Sequence, residues 1–359
     1  MTKQILTVYT GGTIGSAPDG TQRKLAPALA KRAIAANFAQ SSSPYADLSS
    51  SLFCDSEFPN EQQTLSENMT IDKLNKIIFH IKSFDFKKFA GIIVLHGTDT
   101  LAYTAALFSM LFCDTQIPIM LVSGDRPPMD EKSNANANFR AAVELIMEGI
   151  APNVYIPYRN KDEIIRLYLA SSIMQSANFT DDFFSASSEQ LFVVEAEGEN
   201  DALMQKSTAL SKKRNPPATQ VLQRFTRLSD AALLLFPFPG LDYARISLDN
   251  IKAVLHGTYH SGTVCVERNQ PEENYSSRSV LYLADACKKR GIPLFLAPSK
   301  LGKEQYSSVY DVAYNGSAIA LNMTLEAAYG KLLMGASLGL AGEELVDFMQ
   351  QEINNEFHV

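Results

Sequence analysis

The feature that most constrains this chain is the recurrence of short, uninterrupted apolar runs rich in β-branched residues. They are Ile5 to Tyr9, Ile92 to Leu95, Ile117 to Val122, Val154 to Pro157, Ala232 to Phe236, Ala253 to Leu255 and Pro293 to Ala297. A strand with one wet face alternates apolar and polar positions, whereas a run apolar throughout suits a strand covered on both faces, as in a parallel sheet. Between the runs lie stretches with helical period. Thr70 to Phe84 sets Ile71, Leu74, Ile78 and Ile81 on one face, and Ser279 to Arg290 is stopped by Gly291. Strands alternating with helices specify the α/β class, with a mainly parallel sheet flanked by helices.

A chain of 359 residues exceeds one ordinary core, so two domains are expected. The composition changes from about Gly198 to Arg227, where charges, Ser/Thr and a proline pair replace apolar periodicity. Residues 1–197 are therefore read as an N-terminal domain, 198–227 as a linker and 228–359 as a C-terminal domain. The Ser-rich stretch from Ser41 to Gln63 reads as a surface loop of the first domain.

The net charge of -7 removes the attraction that nucleic acid or an anionic membrane surface would need, which points to small-molecule partners. The apolar run near the start is too short for a secretory signal, and no stretch reaches the ~20 apolar residues of a spanning helix, so a cytoplasmic protein is expected. Cys54, Cys113, Cys265 and Cys287 are scattered without the spacing of a zinc or redox site and read as plain thiols.

Two strand ends carry polar groups. Gln4 to Gly15, QILTVYTGGTIG, runs from a strand into Gly11 and Gly12, then Thr13. Glycines admit close backbone approach, and a hydroxyl at the carboxyl end of a parallel strand lies where open α/β sheets bind ligands. A plain turn and a functional threonine both fit; a phosphate loop fits poorly, because no Gly-Lys-Ser/Thr follows. The run Gly91 to Leu95 likewise breaks into His96, Gly97, Thr98, Asp99 and Thr100 before a helix-like segment. These side chains could cap that helix. Alternatively, Asp99 could bind an ammonium and Thr98 a water or carboxamide. His96 is open to both readings, packed beneath the strand or catalytic.

With TGGTIG at Thr10 to Gly15 and HGTDT at His96 to Thr100, the chain resembles the bacterial-type L-asparaginases, most closely the cytoplasmic type I branch. The similarity continues through Leu101 to Thr104, Arg166 to Tyr168, Phe236 to Gly240 and Asn322 to Ala327. The resemblance implies a two-domain fold, a larger N-terminal domain with a mainly parallel sheet and a smaller α/β C-terminal domain. It implies hydrolysis of L-asparagine to L-aspartate and ammonia through an acyl-enzyme on Thr13. Thr98 would position and activate the second half-reaction, Asp99 would bind the α-ammonium, and Ser66 with Glu67 would meet the α-carboxyl end. Backbone N–H groups near Gly12 and Thr13 would hold the oxyanion. No metal or organic cofactor is implied, and the assembly would be a homodimer or homotetramer.

Four positions depart from the family pattern. Gln175 stands where the general-base lysine is expected, Leu25 at the loop tyrosine, Thr263 at an asparagine of the second domain, and Glu67 where relatives carry Gln or Ser. A missing acid or base typically costs ~10²–10⁴-fold in rate. Lys132, Lys161 and Arg166 are candidate replacements. Three functions therefore compete: hydrolysis of asparagine or glutamine, amino-acid binding without turnover, and hydrolysis of a different, cationic amide selected by Glu67.

Overall fold

Each apolar run forms a strand in the computed structural model, which describes residues 3–187, 191, 193, 200–216, 225–268, 275–300, 306–313 and 318–358. The chain divides into two units, Met1–Pro216 and Pro217–Val359.

In the first unit the strands are β1 (Gln4–Tyr9), β2 (Ser16–Asp19), β3 (Gln22–Leu25), β4 (Phe53–Asp55), β5 (Phe89–Leu95), β6 (Ile119–Val122), β7 (Val154–Arg159), β8 (Ile165–Leu169), β9 (Ile173–Met174) and β10 (Phe184–Ser185). The helices are α1 (Pro27–Ala39), α2 (Ser49–Leu52), α3 (Ile71–Lys82), α4 (Leu101–Leu111), α5 (Ala135–Met147) and α6 (Asp201–Lys212). Six strands make one sheet in the order β4-β1-β5-β6-β7-β8, parallel except for the last pair. Ile5, Leu6 and Val8 of β1 and Ile92, Ile93 and Val94 of β5 are fully buried, as runs apolar on both faces require. Ile34 and Phe38 of α1 and Phe139 of α5 close over one face, sharing a cluster with Ile5, Ile93 and Val122. Thr70 caps α3, its hydroxyl accepting from the Lys73 N–H at 3.3 Å, and Leu74, Ile77, Ile78 and Ile81 are the buried stripe.

Two sequence expectations change here. The stretch from Ser41 to Gln63 is more than a surface loop, because it contains β4, which pairs with β1 at the sheet edge. Leu52 is buried, and the Phe53 ring meets those of Phe38 and Phe139. The supposed linker holds α6, whose Leu203 and Leu210 belong to the first unit's core. Residues 198, 199 and 217–224 of that linker lie outside the described residues.

The second unit has a parallel sheet of β11 (Ala232–Leu235), β12 (Ala253–His256), β13 (Leu294–Leu296) and β14 (Ile319–Ala320), in that order. Among its helices, Leu325–Ser337 carries Lys331, fully buried and 2.7 Å from the equally buried Glu356. The Glu356 carboxylate also accepts the N–H groups of Ile353 and Asn354, so this pair pins the terminal segment inside its own unit.

Candidate active site

β1 and β5 are parallel neighbours with Tyr9 opposite Leu95, so TGGTIG and HGTDT leave the sheet at the same end. Thr10 ties them together, its N–H and hydroxyl both donating to the Leu95 carbonyl, at 3.0 and 2.7 Å. Glycine then permits contacts no side chain would allow. A Cβ on Gly12 would fall 2.1 Å from the Gly97 Cα, and one on Gly11 would fall 2.2 Å from the Thr64 carbonyl oxygen. A Cβ on Gly97 would fall 2.6 Å from the Ser66 side chain. Three segments are thus packed backbone to backbone, and Thr13 and Thr98 each follow one of the touching glycines.

The consequence is a shared cavity of about 360 Å³ whose walls include Thr13, Thr98 and Asp99. Ser66 lies beside it, its hydroxyl donating to Asp99 Oδ2 at 2.7 Å and accepting from the Asp99 N–H at 3.2 Å. Glu67 is exposed and is not one of the walls. Gln175 does line the cavity, and its carboxamide nitrogen donates to the Asp99 carbonyl. Leu25 sits next to the Thr13 turn, 4.0 Å from where a Gly15 Cβ would be.

None of the three replacement cations joins the described walls. Lys161 pairs with Asp181 at 3.4 Å, Arg166 grips Asp162 through both terminal nitrogens, and Lys132 is exposed. Thr263 belongs to the second unit, its hydroxyl 3.0 Å from that of Ser261.

The capping alternative for HGTDT does not hold. Thr100 is the N-cap of α4 but makes no side-chain cap, its hydroxyl donating instead to the Ser66 carbonyl at 3.1 Å. His96 takes the packed role. Its Nδ1 is 2.8 Å from the Gly97 carbonyl, which can only accept, so Nδ1 carries the proton and Nε2 accepts from Thr104 at 3.1 Å. Burial lowers its pKa to about 4, against a weaker raising effect of the Gly97 bond.

The second unit repeats this device in His256-Gly257-Thr258 at the end of β12. There Nδ1 meets the Gly257 carbonyl and Nε2 meets the Tyr243 hydroxyl at 2.7 Å. The His-Gly-Thr triplet is therefore a way to end a buried strand, and Asp99 is what distinguishes the first copy. The Gly12 N–H donates to the Thr64 carbonyl at 2.8 Å, which takes it away from the expected oxyanion role.

Comparison with known proteins decides the family. The model of the asparaginase N-terminal domain matches residues 4–206. The chain belongs to the asparaginase family. It is 31% identical over 101 residues to an L-asparaginase of Thermococcus kodakarensis, covering 27% of this chain and 30% of that protein. It is 25% identical over 306 residues to one subunit of the glutamyl-tRNA(Gln) amidotransferase of Methanosphaera stadtmanae, covering 81% of this chain and 64% of that protein. The matched stretches thus span less than two thirds of either relative. Among solved structures, L-asparaginase I of Vibrio cholerae superposes over 100% of both chains with a TM-score of 0.69 at 22% identity. The T. kodakarensis L-asparaginase does so over 99% of both with a TM-score of 0.69 at 18% identity. At these identities the likeness is one of fold, and it covers two-domain proteins end to end.

Among the walls of this asparaginase-family cavity, the sequence reading overlooked Asp125 and Arg23. Asp125 follows β6 through Ser123 and Gly124, a glycine and a carboxylate at a strand's carboxyl end as in Gly97 to Asp99. Leu95 pairs with Val122, so Asp125 arrives at the same end of the sheet and lines the cavity. Arg23 comes from the β2–β3 hairpin. Among the described residues no group of three or more His, Cys, Asp or Glu could hold a metal, and no helix is long and apolar enough to cross a membrane.

Proposed function

We propose that this chain is an amidohydrolase that opens the side-chain amide of L-asparagine, or of a close analogue, by attack of the Thr13 hydroxyl. The observation that carries this reading is the common cavity wall of Thr13, Thr98 and Asp99, held by the packing of Gly12 on Gly97. Thr13 Oγ1 adds to the amide carbon, ammonia leaves, and a water positioned by Thr98 hydrolyses the ester to release aspartate. Asp99 receives the α-ammonium. No lysine is among the described walls, so the groups there that can accept a proton are the carboxylates of Asp99, Asp125 and Asp181. The protein would act in the cytoplasm as a homodimer or homotetramer, which light scattering checks.

Ammonia release from L-asparagine by the wild type, and its loss in Thr13→Ala, is the expected result. Equal release by both proteins removes Thr13 from the chemistry. The carboxamide of Gln175 on Asp99 favours one rival, a protein that binds amino acids without turnover. Calorimetry showing tight aspartate binding with no ammonia release would select it.

A further inference from the structure

We propose that Arg23 receives the carboxylate of the substrate, so that the cavity selects amides bearing a free carboxylate beside their ammonium group. This rests on the reading of the Thr13 cavity as an amino-acid amide site. The side chains expected at the α-carboxyl end of the substrate lack a free donor. The single hydroxyl proton of Ser66 lies on Asp99 Oδ2, and its oxygen accepts from the Asp99 N–H. Glu67 is a carboxylate, exposed and off the walls. Neither side chain has a donor to offer an incoming carboxylate.

The charge of the cavity makes the need sharper. Its described walls carry Asp99, Asp125 and Asp181, and Arg23 is the one cation among them. These acids attract a substrate ammonium but repel the carboxylate two bonds away from it. Arg23 is placed and available to offset that repulsion. Its Nη1 donates to the backbone carbonyl of Asp125 at 3.3 Å, and no carboxylate of the described residues pairs with it. Neighbouring cations are otherwise engaged: Lys24 with Asp19 at 2.5 Å, Lys161 with Asp181 at 3.4 Å, and Arg126 with Asp130 at 3.3 Å. A guanidinium has five N–H donors in a fork that matches a carboxylate, and most of those of Arg23 are unused.

The hairpin fixes where the fork lies. Arg23 and Leu25 are two residues apart on β3 and share a face, whereas Gln22 and Lys24 face the other way. Leu25 pairs with Ser16, the Ala26 N–H donates to the Gly15 carbonyl at 3.0 Å, and the Ser16 hydroxyl donates to the Gly12 carbonyl at 2.8 Å. The hairpin is thus stapled to the turn that carries Thr13, and its Arg23 face is held toward the cavity.

Calorimetry with L-aspartate and with β-alanine, the same molecule without its α-carboxylate, tests this on wild type, Arg23→Gln and Arg23→Lys. Arg23→Gln is expected to weaken aspartate about 10- to 100-fold while β-alanine binding is unchanged, with Arg23→Lys in between. Unchanged aspartate binding in Arg23→Gln overturns the role of Arg23 and leaves the amino-acid site standing. Equal weakening of both ligands, with a lowered Tm, also overturns it, by showing that Arg23 only tethers the hairpin. A wild type that binds neither ligand, nor asparagine, sinks the Arg23 proposal together with the amino-acid site.

Discussion

The contact between the two loop tips makes Gly97→Ala a demanding test. The added Cβ would sit 2.6 Å from both Cβ and Oγ of Ser66 and 2.8 Å from the Gly12 Cα. Carbon atoms rest at ~3.5–4.0 Å, so something must yield by about 0.9 Å. Gly97 holds no left-handed dihedral, so the penalty is steric alone. One side is the backbone of the Thr13 turn, locked by the Thr64 and Leu95 carbonyls, and the other is the side chain that positions Asp99. Overpacking of this kind costs about 1–3 kcal/mol in stability. The larger effect falls on turnover, because a shift of about 1 Å in a positioned group can cost about 100-fold. Urea denaturation gives the first quantity and ammonia release the second. Wild-type activity in a folded Gly97→Ala protein would refute the claim that this contact sets the geometry of the site.

Three further outcomes are expected. His96, held neutral by burial with a pKa of about 4, takes up no proton over a range in which the unfolded chain does. Stability is therefore full above about pH 6.5 and declines toward pH 4, by about 3 kcal/mol for this group; a flat denaturation profile across that window would contradict the assignment. Burial also lowers the pKa of His80, His256 and His358, adding slope of the same sign. Glu356→Ala leaves the Lys331 ammonium buried without its carboxylate and should destabilise the protein by about 3–5 kcal/mol, much of it restored by also changing Lys331 to Met. Asp99→Asn should weaken L-aspartate about 10- to 100-fold in calorimetry, and unaltered affinity would show that the ammonium binds elsewhere.

Much of the fold was legible because burial on both faces of a parallel sheet leaves an unmistakable trace. Ile92 to Leu95 has no polar position to mislead, and Tyr9 and Leu95 end level. The edge strand β4 lacks that trace. Phe53-Cys54-Asp55 is only three residues long, half-buried and flanked by serines, so propensity gave way to pairing with β1. Helix α6 hid behind polar composition, although Leu203, Ser207 and Leu210 keep a helical period.

At the site, Thr13, Thr98 and Asp99 could be named because each stands just after a glycine turn at a strand end. Asp125 obeys the same rule, but its strand end carries neither TGGTIG nor HGTDT, so nothing in the local sequence ties it to them. Arg23 was invisible for a different reason. Its relation to the cavity depends on how a short hairpin folds back, which no local spacing encodes.

The central claim is that Thr13 becomes acylated, and mass spectrometry after rapid acid quench of enzyme mixed with L-asparagine tests it directly. The account predicts an adduct equal to asparagine less ammonia, mapped to the peptide containing Thr13 and absent in Thr13→Ala. Ammonia release without that adduct, or an adduct that persists in Thr13→Ala, would contradict it.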